Sequence, residues 1–183
     1  MNNFIIIAYC TPGPYAEEAR NLKASLDRQR LFYEIKAIDS LGNWQKNCLY
    51  KPYFIQEMLR KFDMPVLYVD ADAIFHRFPQ LIYELECDFA AHYFKGTQLA
   101  SGTLYFKNSI PSFNLISYWK DNCKLFPQDP DQLNLQRAVE KPEWQNRINV
   151  TYLPPEYCKI FDLTPDCNEP VIEHFQASRR LRC

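Results

Sequence analysis

The first forty residues constrain the fold more than any other part of the sequence. Residues 4–9 form an apolar run rich in β-branched side chains, bounded by the Thr-Pro-Gly-Pro stretch at residues 11–14. Such a run predicts a strand that is buried on both faces. Residues 15–30 then place apolar side chains at helical spacing, and residues 32–38 predict a second strand. A β-α-β unit of this kind predicts a parallel sheet covered by helices.

The same alternation continues along the chain without a repeat or a linker. We predict further strands and helices wherever a short apolar run or a helical period occurs: strands at 66–69, 89–92 and 99–106, and helices at 53–62, 112–123 and 131–139. From residue 141 onward the chain is punctuated by prolines and is predicted to be irregular. The whole pattern predicts one α/β domain over residues 1–183, with a mostly parallel, Rossmann-like central sheet flanked by helices.

Composition excludes several classes of protein. The 21 basic and 22 acidic residues give a formal charge of −1, which disfavours a nucleic-acid binder. The longest apolar stretch, residues 4–10, is far short of the ~20 residues that a membrane span needs, and it lacks the features of a signal peptide. The four glycines cannot form either of the common glycine-rich phosphate loops.

The seven cysteines carry information about the compartment. None belongs to a Cys-x-x-Cys pair, so the sequence gives no support for a structural zinc site. Several lie in apolar runs, where a free cysteine behaves as a small hydrophobic residue. We therefore expect a reducing, cytoplasmic location, although a bridge between Cys158 and Cys167 stays open.

Polar residues that leave the predicted strands mark the candidate binding edge, since ligands of such sheets bind beyond the carboxyl ends of the strands. Asp70 and Asp72 follow the buried strand 66–69 directly. Two carboxylates in this place either bind a divalent cation, for which hard oxygen ligands are suited, or cap the next turn.

Several segments resemble GT-A-fold glycosyltransferases, which use nucleotide-diphosphate sugars. Residues 67–75 resemble their Asp-x-Asp segment, and the Lys-Pro at 51–52 resembles the helix start that precedes it. The remaining similar segments come in the family's order: the small-Gly strand at 101–108, the Asp-Gln-x-x-Asn helix start at 131–134, and the His at 173–175 followed by basic residues at 179–180.

The resemblance implies a metal site. Asp72 would bind the ion directly, Asp70 would share it or bind the ribose, and His174 would add a nitrogen ligand. A mixed set of carboxylates and imidazole suits Mn²⁺ slightly better than Mg²⁺, which is also possible.

The resemblance also implies a donor site for a UDP-sugar. Its predicted members come from the strand ends and from two basic segments: Ala8, Tyr9, Thr11, Lys51, Asp70, Ala71, His92, Ser101, Gly102, Arg179 and Arg180. The base would lie against Tyr9, and Lys51 with one of the two arginines would meet the diphosphate. The alternatives are a core tyrosine at Tyr9, a surface lysine at Lys51 and a packed core histidine at His92.

Asp131 and Gln132 are the candidate catalytic residues. In a retaining enzyme they would hold the sugar hydroxyls, and in an inverting enzyme Asp131 would deprotonate the acceptor. The resemblance favours retention, whereas an Asp that opens a helix can also be an N-cap.

The acceptor would be a glycan or another hydroxyl compound. Two other functions stay open: a haloacid-dehalogenase-like phosphatase, in which Asp70 would be the nucleophile, and a non-catalytic domain that binds nucleotide sugars.

Overall fold

The computed structural model describes residues 3–144 and 147–181 and shows an α/β fold. Eight strands are present in the described part of the chain: β1 (Ile5–Cys10), β2 (Tyr33–Ala37), β3 (Val66–Val69), β4 (Ala73–Phe75), β5 (Phe89–Phe94), β6 (Gln98–Phe106), β7 (Val150–Tyr152) and β8 (Ile172–His174). Seven α-helices accompany them: α1 (Pro14–Arg28), α2 (Trp44–Leu49), α3 (Lys51–Phe62), α4 (Gln80–Tyr83), α5 (Ile110–Leu125), α6 (Asp131–Val139) and α7 (Ala177–Leu181).

Six strands form the central sheet in the order β2-β1-β3-β6-β5-β7. Strand β1 runs parallel to β2 and β3, and β7 runs parallel to β5. Strand β6 is antiparallel to both β3 and β5, so β5 points the same way as β1. Five strands therefore share one direction and β6 opposes them, which confirms the predicted mostly parallel sheet.

Helices cover both faces of this sheet, and β1 shows why its sequence carries no alternation. Ile5 and Ile7 belong to the cluster with Phe54 of α3 on one face, whereas Ile6 packs with Leu22 of α1 on the other. Each face of β1 therefore needs apolar side chains, and the uninterrupted run supplies them.

The prediction of an irregular tail after residue 141 was wrong. Strands β7 and β8 and helix α7 lie there, and β8 pairs with β4 to form a second, two-stranded antiparallel sheet. Strands of three residues carry too few side chains to show a period, so tertiary pairing and not local pattern defines them. This small sheet is what brings the C-terminal segment to the end of β3.

The structure also bears on a membrane-spanning helix and on the bridge between Cys158 and Cys167. None of the helices in the described residues has the length and apolar character that crossing a membrane requires. Cys158 and Cys167 are both free thiols, so the bridge between them is not formed.

Candidate active site

A cavity of about 380 Å³ opens at the carboxyl edge of the central sheet. It extends from the end of β1 past the end of β3 to residues of β6 and the end of β5. Predicted site residues supply much of its lining: Tyr9, Thr11, Lys51, Asp70, Ala71, Asp72, Ser101, Gly102, Asp131, Gln132, His174 and Arg179. The structure therefore gathers residues from both ends of the chain into one place, as the sequence predicts for this edge.

The Asp-x-Asp segment is held at the cavity floor by main-chain pairing. Strand β3 ends at Val69, and the N–H of Asp70 donates to the Gly102 carbonyl at 2.9 Å. Ala73 of β4 lies opposite His174 of β8 in the small sheet. The turn between β3 and β4 thus carries both carboxylates, and β8 delivers the histidine beside them.

Asp70, Asp72 and His174 form a group that fits a divalent cation. One ligand atom of each lies within 4.8 Å of the others. Oδ1 of Asp72 faces Nδ1 of His174 at 3.5 Å, and among the described residues neither of these buried atoms has a hydrogen-bond partner. Buried polar atoms are rarely left unsatisfied, and a cation between them would satisfy both. Two carboxylates and an imidazole suit Mn²⁺, with Mg²⁺ as the second fit.

The charges of Asp72 and His174 depend on each other. Burial alone would raise the pKa of Asp72, but His174 and the Ala177 N–H, which donates to Oδ2 at 2.7 Å, lower it. Burial would lower the pKa of His174, but Asp72 and the Cys158 thiol outweigh it and raise the pKa to about 10. Without a cation the site therefore holds an imidazolium beside a carboxylate, and a bound cation has to displace that proton.

Lys51 is buried at the cavity, unlike the surface lysine of the alternative interpretation. Its side chain is 4% exposed, and its ammonium lies 2.9 Å from Oδ2 of Asp131 and 3.1 Å from Oδ1 of Asp70. It also donates to the carbonyl of Ser101 at 3.0 Å. Burial would lower the pKa of Lys51, but Asp131 and Asp70 raise it well above the usual value. Lys51 is therefore a buried cation that bridges the metal group and the candidate catalytic carboxylate, and not a surface lysine.

Asp131 is the first residue of α6, and its carboxylate does not cap the helix. The N-cap position belongs to Pro130, which makes no side-chain cap bond. The Asp131 side chain is 7% exposed and points to Lys51, and Gln132 lines the cavity next to it. The N-cap alternative is thus wrong for Asp131.

Gly102 allows His174 to lie flat against strand β6. A Cβ atom on Gly102 would come within 3.1 Å of Cε1 of His174 and 3.3 Å of both ring nitrogens. On the next residue, Oγ1 of Thr103 lies 2.8 Å from Nε2 of His174. The glycine that the sequence placed beside the sugar is therefore also the residue that makes room for the imidazole.

The end of the cavity next to β1 and β2 is aromatic. Tyr9 lines it, but its ring packs edge-on against Phe54 and its hydroxyl donates to the Asn47 carbonyl at 2.7 Å. Tyr9 is thus largely a core residue, as its alternative interpretation held. Trp44, the first residue of α2, is half-buried and lines the same end.

Of three predicted donor residues, Arg179 lines the cavity, whereas Arg180 and Ala8 do not. Arg179 lines it and pairs with Asp162 at 2.7 Å, whereas Arg180 pairs with Glu18 at 2.6 Å and lines a separate groove. Ala8 is fully buried within β1 and does not line the cavity.

His92 is not brought to the cavity either. Strand β5 continues to Phe94, so His92 lies within the strand, where its Nδ1–H donates to the Leu153 carbonyl at 2.8 Å. This contact corresponds to the packed core histidine that the sequence left open.

Three residues that the sequence did not indicate lie at the cavity or against His174: Trp44, Thr103 and Cys158. A signal existed for Trp44: it follows Asn43, whose side chain accepts from the Lys46 N–H and caps α2. Nothing in the pattern of β6 marks Thr103, because Gln98 and Ser101 are also polar residues of that strand. No local pattern marks Cys158.

The fold and the cavity, whose floor carries Asp70 and Asp72, together indicate the class of the protein. The chain belongs to the nucleotide-diphospho-sugar transferase family, which matches residues 36–177, and it is a glycosyltransferase. This assignment removes the phosphatase alternative. A search of curated protein sequences found no match.

Solved structures agree with the fold. A glycosyltransferase involved in the glycosylation of the major capsid of PBCV-1 superposes with a TM-score of 0.73 at 13% identity, covering 94% of this chain and 92% of that one. The glycosyltransferase GlyE of Streptococcus pneumoniae TIGR4 gives a TM-score of 0.65 at 16% identity, covering 93% of this chain and 54% of GlyE. The apo-form of GlyE gives 0.62 at 16% identity, covering 95% of this chain and 54% of GlyE. At these identities the likeness describes the fold.

Proposed function

We propose that this chain is a metal-dependent glycosyltransferase that takes a sugar from a UDP-sugar donor and transfers it to a hydroxyl acceptor. The observation that carries the proposal is a pair of buried atoms without a hydrogen-bond partner among the described residues, Oδ1 of Asp72 and Nδ1 of His174, next to Asp70 at the cavity floor. Polar atoms without hydrogen bonds have a cost in a protein interior, and a divalent cation bound between them removes that cost.

A bound cation would stabilise the negative charge that develops on the diphosphate as the sugar's C1–O bond breaks. Asp70, Asp72 and His174 would hold this ion. Arg179 lies at the cavity and presents a guanidinium, whose fork suits phosphate oxygens. The donor's base would occupy the aromatic end beside Trp44, since planar rings stack on indole.

Lys51 would keep Asp131 in place, since its ammonium lies 2.9 Å from Oδ2 and the Asp131 side chain is 7% exposed. Carboxylate oxygens accept hydrogen bonds from hydroxyl groups, so Asp131 would hold the sugar hydroxyls within a retaining mechanism, with Gln132 as a second hydrogen-bonding group.

The acceptor and the compartment are also part of the proposal. A glycan or another hydroxyl compound would enter from the β5 side, where Phe94 and Leu163 line the cavity. The thiols Cys10 and Cys158 are free, which supports a reducing, cytoplasmic location.

The decisive experiment is calorimetric titration of UDP with and without Mn²⁺, for the wild type and for Asp72→Asn. The wild type should bind UDP more tightly with Mn²⁺, and Asp72→Asn should lose that enhancement, since the substitution removes the charge but almost no volume. Asp121→Asn is the matched control, because Asp121 is exposed and pairs with Lys124.

Equal Mn²⁺ enhancement in the wild type and Asp72→Asn would overturn the metal site. Hydrolysis of UDP-sugar, measured alongside, separates an enzyme from the non-catalytic alternative, which would bind UDP without turnover.

A further inference from the structure

We propose that Thr103 is the positioning residue that sets the tautomer of His174, so that the lone pair of Nδ1 is directed to the metal. The inference rests on the proposed metal site and adds a residue to it that neither the sequence analysis nor the proposed function includes. Thr103 is fully buried in β6, and its hydroxyl is 2.8 Å from Nε2 of His174.

The two ring nitrogens of His174 have different surroundings. A neutral imidazole has one N–H donor and one acceptor nitrogen, so the partner of one nitrogen decides the role of the other. Nε2 has Thr103 as its partner, whereas Nδ1 is buried and has no hydrogen-bond partner among residues 3–144 and 147–181.

The two tautomers differ in what they leave at Nδ1. In the neutral ring that a cation requires, a Thr103 hydroxyl that donates to Nε2 leaves the ring proton on Nδ1, facing Oδ1 of Asp72 at 3.5 Å, where a cation would bind. If Nε2–H donates to Thr103 instead, the Nδ1 lone pair and the Asp72 oxygen face the same space. The second arrangement is the one that a cation can use, whereas the metal-free imidazolium carries a proton on both nitrogens.

The backbone holds Thr103 in the position that this role requires. Thr103 lies opposite Val69 in the β3–β6 ladder, and Val69 is the residue directly before Asp70. Gly102 packs against the face of the imidazole, and β8 pairs with β4 behind it. Because the sheet fixes both Thr103 and the Asp-x-Asp turn, the hydroxyl and the carboxylates keep a constant spacing around His174.

Outer hydrogen-bond partners of a metal-bound histidine commonly change metal affinity by about 10- to 100-fold when they are removed. We therefore expect Thr103→Val to weaken Mn²⁺ binding by that factor and Thr103→Ser to stay close to the wild type. Binding is measured by calorimetric titration of Mn²⁺, alone and with UDP, and folding by thermal unfolding without metal.

Thr151→Val is the matched control. Thr151 lies in β7, where its hydroxyl bonds to Cys87 and is remote from the cavity. It should lose a strand hydroxyl without changing Mn²⁺ affinity. Should Thr103→Val fail to fold, Thr103→Ala against Thr103→Ser gives the same comparison, because the two variants differ by the hydroxyl alone.

A second readout tests the tautomer directly. In ¹⁵N-labelled protein saturated with Mg²⁺ and UDP, the imidazole nitrogens of His174 should show protonation at Nε2 and none at Nδ1. A proton on Nδ1 would overturn the proposal, as would equal Mn²⁺ affinity in Thr103→Val and the wild type. If the wild type itself does not bind Mn²⁺, the proposed metal site fails and this inference fails with it.

Discussion

The close contact between Gly102 and His174 leads to a prediction that can be worked out from distances. In Gly102→Ala the new methyl carbon would lie 3.1 Å from Cε1 of His174. Carbon atoms prefer a separation of about 3.5–4.0 Å, so the methyl group intrudes by about 0.4 Å or more. His174 cannot retreat freely, because Thr103 holds Nε2 and the β4–β8 pairing holds its backbone.

Two opposing effects set the size of the change in the free energy of unfolding. Overpacking of this kind costs about 1–3 kcal/mol. The backbone of Gly102 lies outside the left-handed region, so alanine can adopt it. Because alanine also reduces the freedom of the unfolded chain, it raises the unfolding free energy by about 0.4–1 kcal/mol. We expect Gly102→Ala to lower the unfolding free energy by about 1–2 kcal/mol and to weaken Mn²⁺ binding, since the imidazole is displaced.

A double-mutant cycle isolates the contact. In a His174→Ala background the methyl group meets no ring, so Gly102→Ala should be neutral or stabilising there. The assay is urea unfolding followed by circular dichroism in the presence of a metal chelator, for all four proteins. A coupling energy of about 1–3 kcal/mol is expected. An equal cost of Gly102→Ala in both backgrounds would refute the reasoning.

Further expectations concern the charges and the aromatic end of the cavity. Lys51→Met should lower the unfolding free energy by about 3 kcal/mol in urea, because two carboxylates lose their shared cation. Mn²⁺ should restore part of that stability. Lys124→Met, on the surface, should leave the unfolding free energy unchanged. Trp44→Ala should weaken UDP binding in calorimetry more than Trp44→Phe, and unchanged affinity in Trp44→Ala would remove Trp44 from the base site. The pKa of His174 is raised to about 10, so Mn²⁺ affinity should rise about tenfold per pH unit between pH 6 and 8, a slope that His174→Gln should lack. Asp131→Asn should keep most UDP affinity and lower UDP-sugar hydrolysis by about a hundredfold, and full hydrolysis would remove Asp131 from the catalytic residues.

The sequence predicted the elements that have a long apolar run or helical period, and it predicted the polar residues that directly follow a strand. The apolar run that became β1 and the helical period that became α1 are both long enough to define their elements, and Asp70 follows β3 as predicted. Parallel strands bring their carboxyl ends to one edge, so the gathering of Tyr9 and Asp70 in one cavity was predictable from order alone. Ser101 reaches the cavity from β6, which runs antiparallel to its neighbours, and the order of elements does not predict that.

The remaining features depend on pairing across the fold. Strands β4 and β8 have three residues each and are separated by about a hundred positions, so no local pattern marks them. The two carboxylate partners of Lys51 could not be predicted either, because they lie far from it in the sequence. A lysine at a helix start is commonly a surface residue, and only the fold, which brings the start of α3 between the end of β3 and the start of α6, encloses it between two carboxylates.

Lys51 connects the two halves of the site, and its contacts determine which substitutions should remain local. When Asp131 becomes neutral, Lys51 still has Asp70 and both oxygens of Ser101 as partners. Its charge stays compensated, so the metal group at Asp70 should be little affected. When Lys51 is removed, Asp70 keeps the Tyr68 hydroxyl, which donates to its Oδ1 at 2.8 Å, and its side chain is 39% exposed. Asp131 is 7% exposed, so loss of Lys51 leaves a buried carboxylate without its ion pair, and that cost appears in the fold as well as in the site. The dependence is therefore unequal: the metal group tolerates loss of Asp131, whereas Asp131 depends on Lys51.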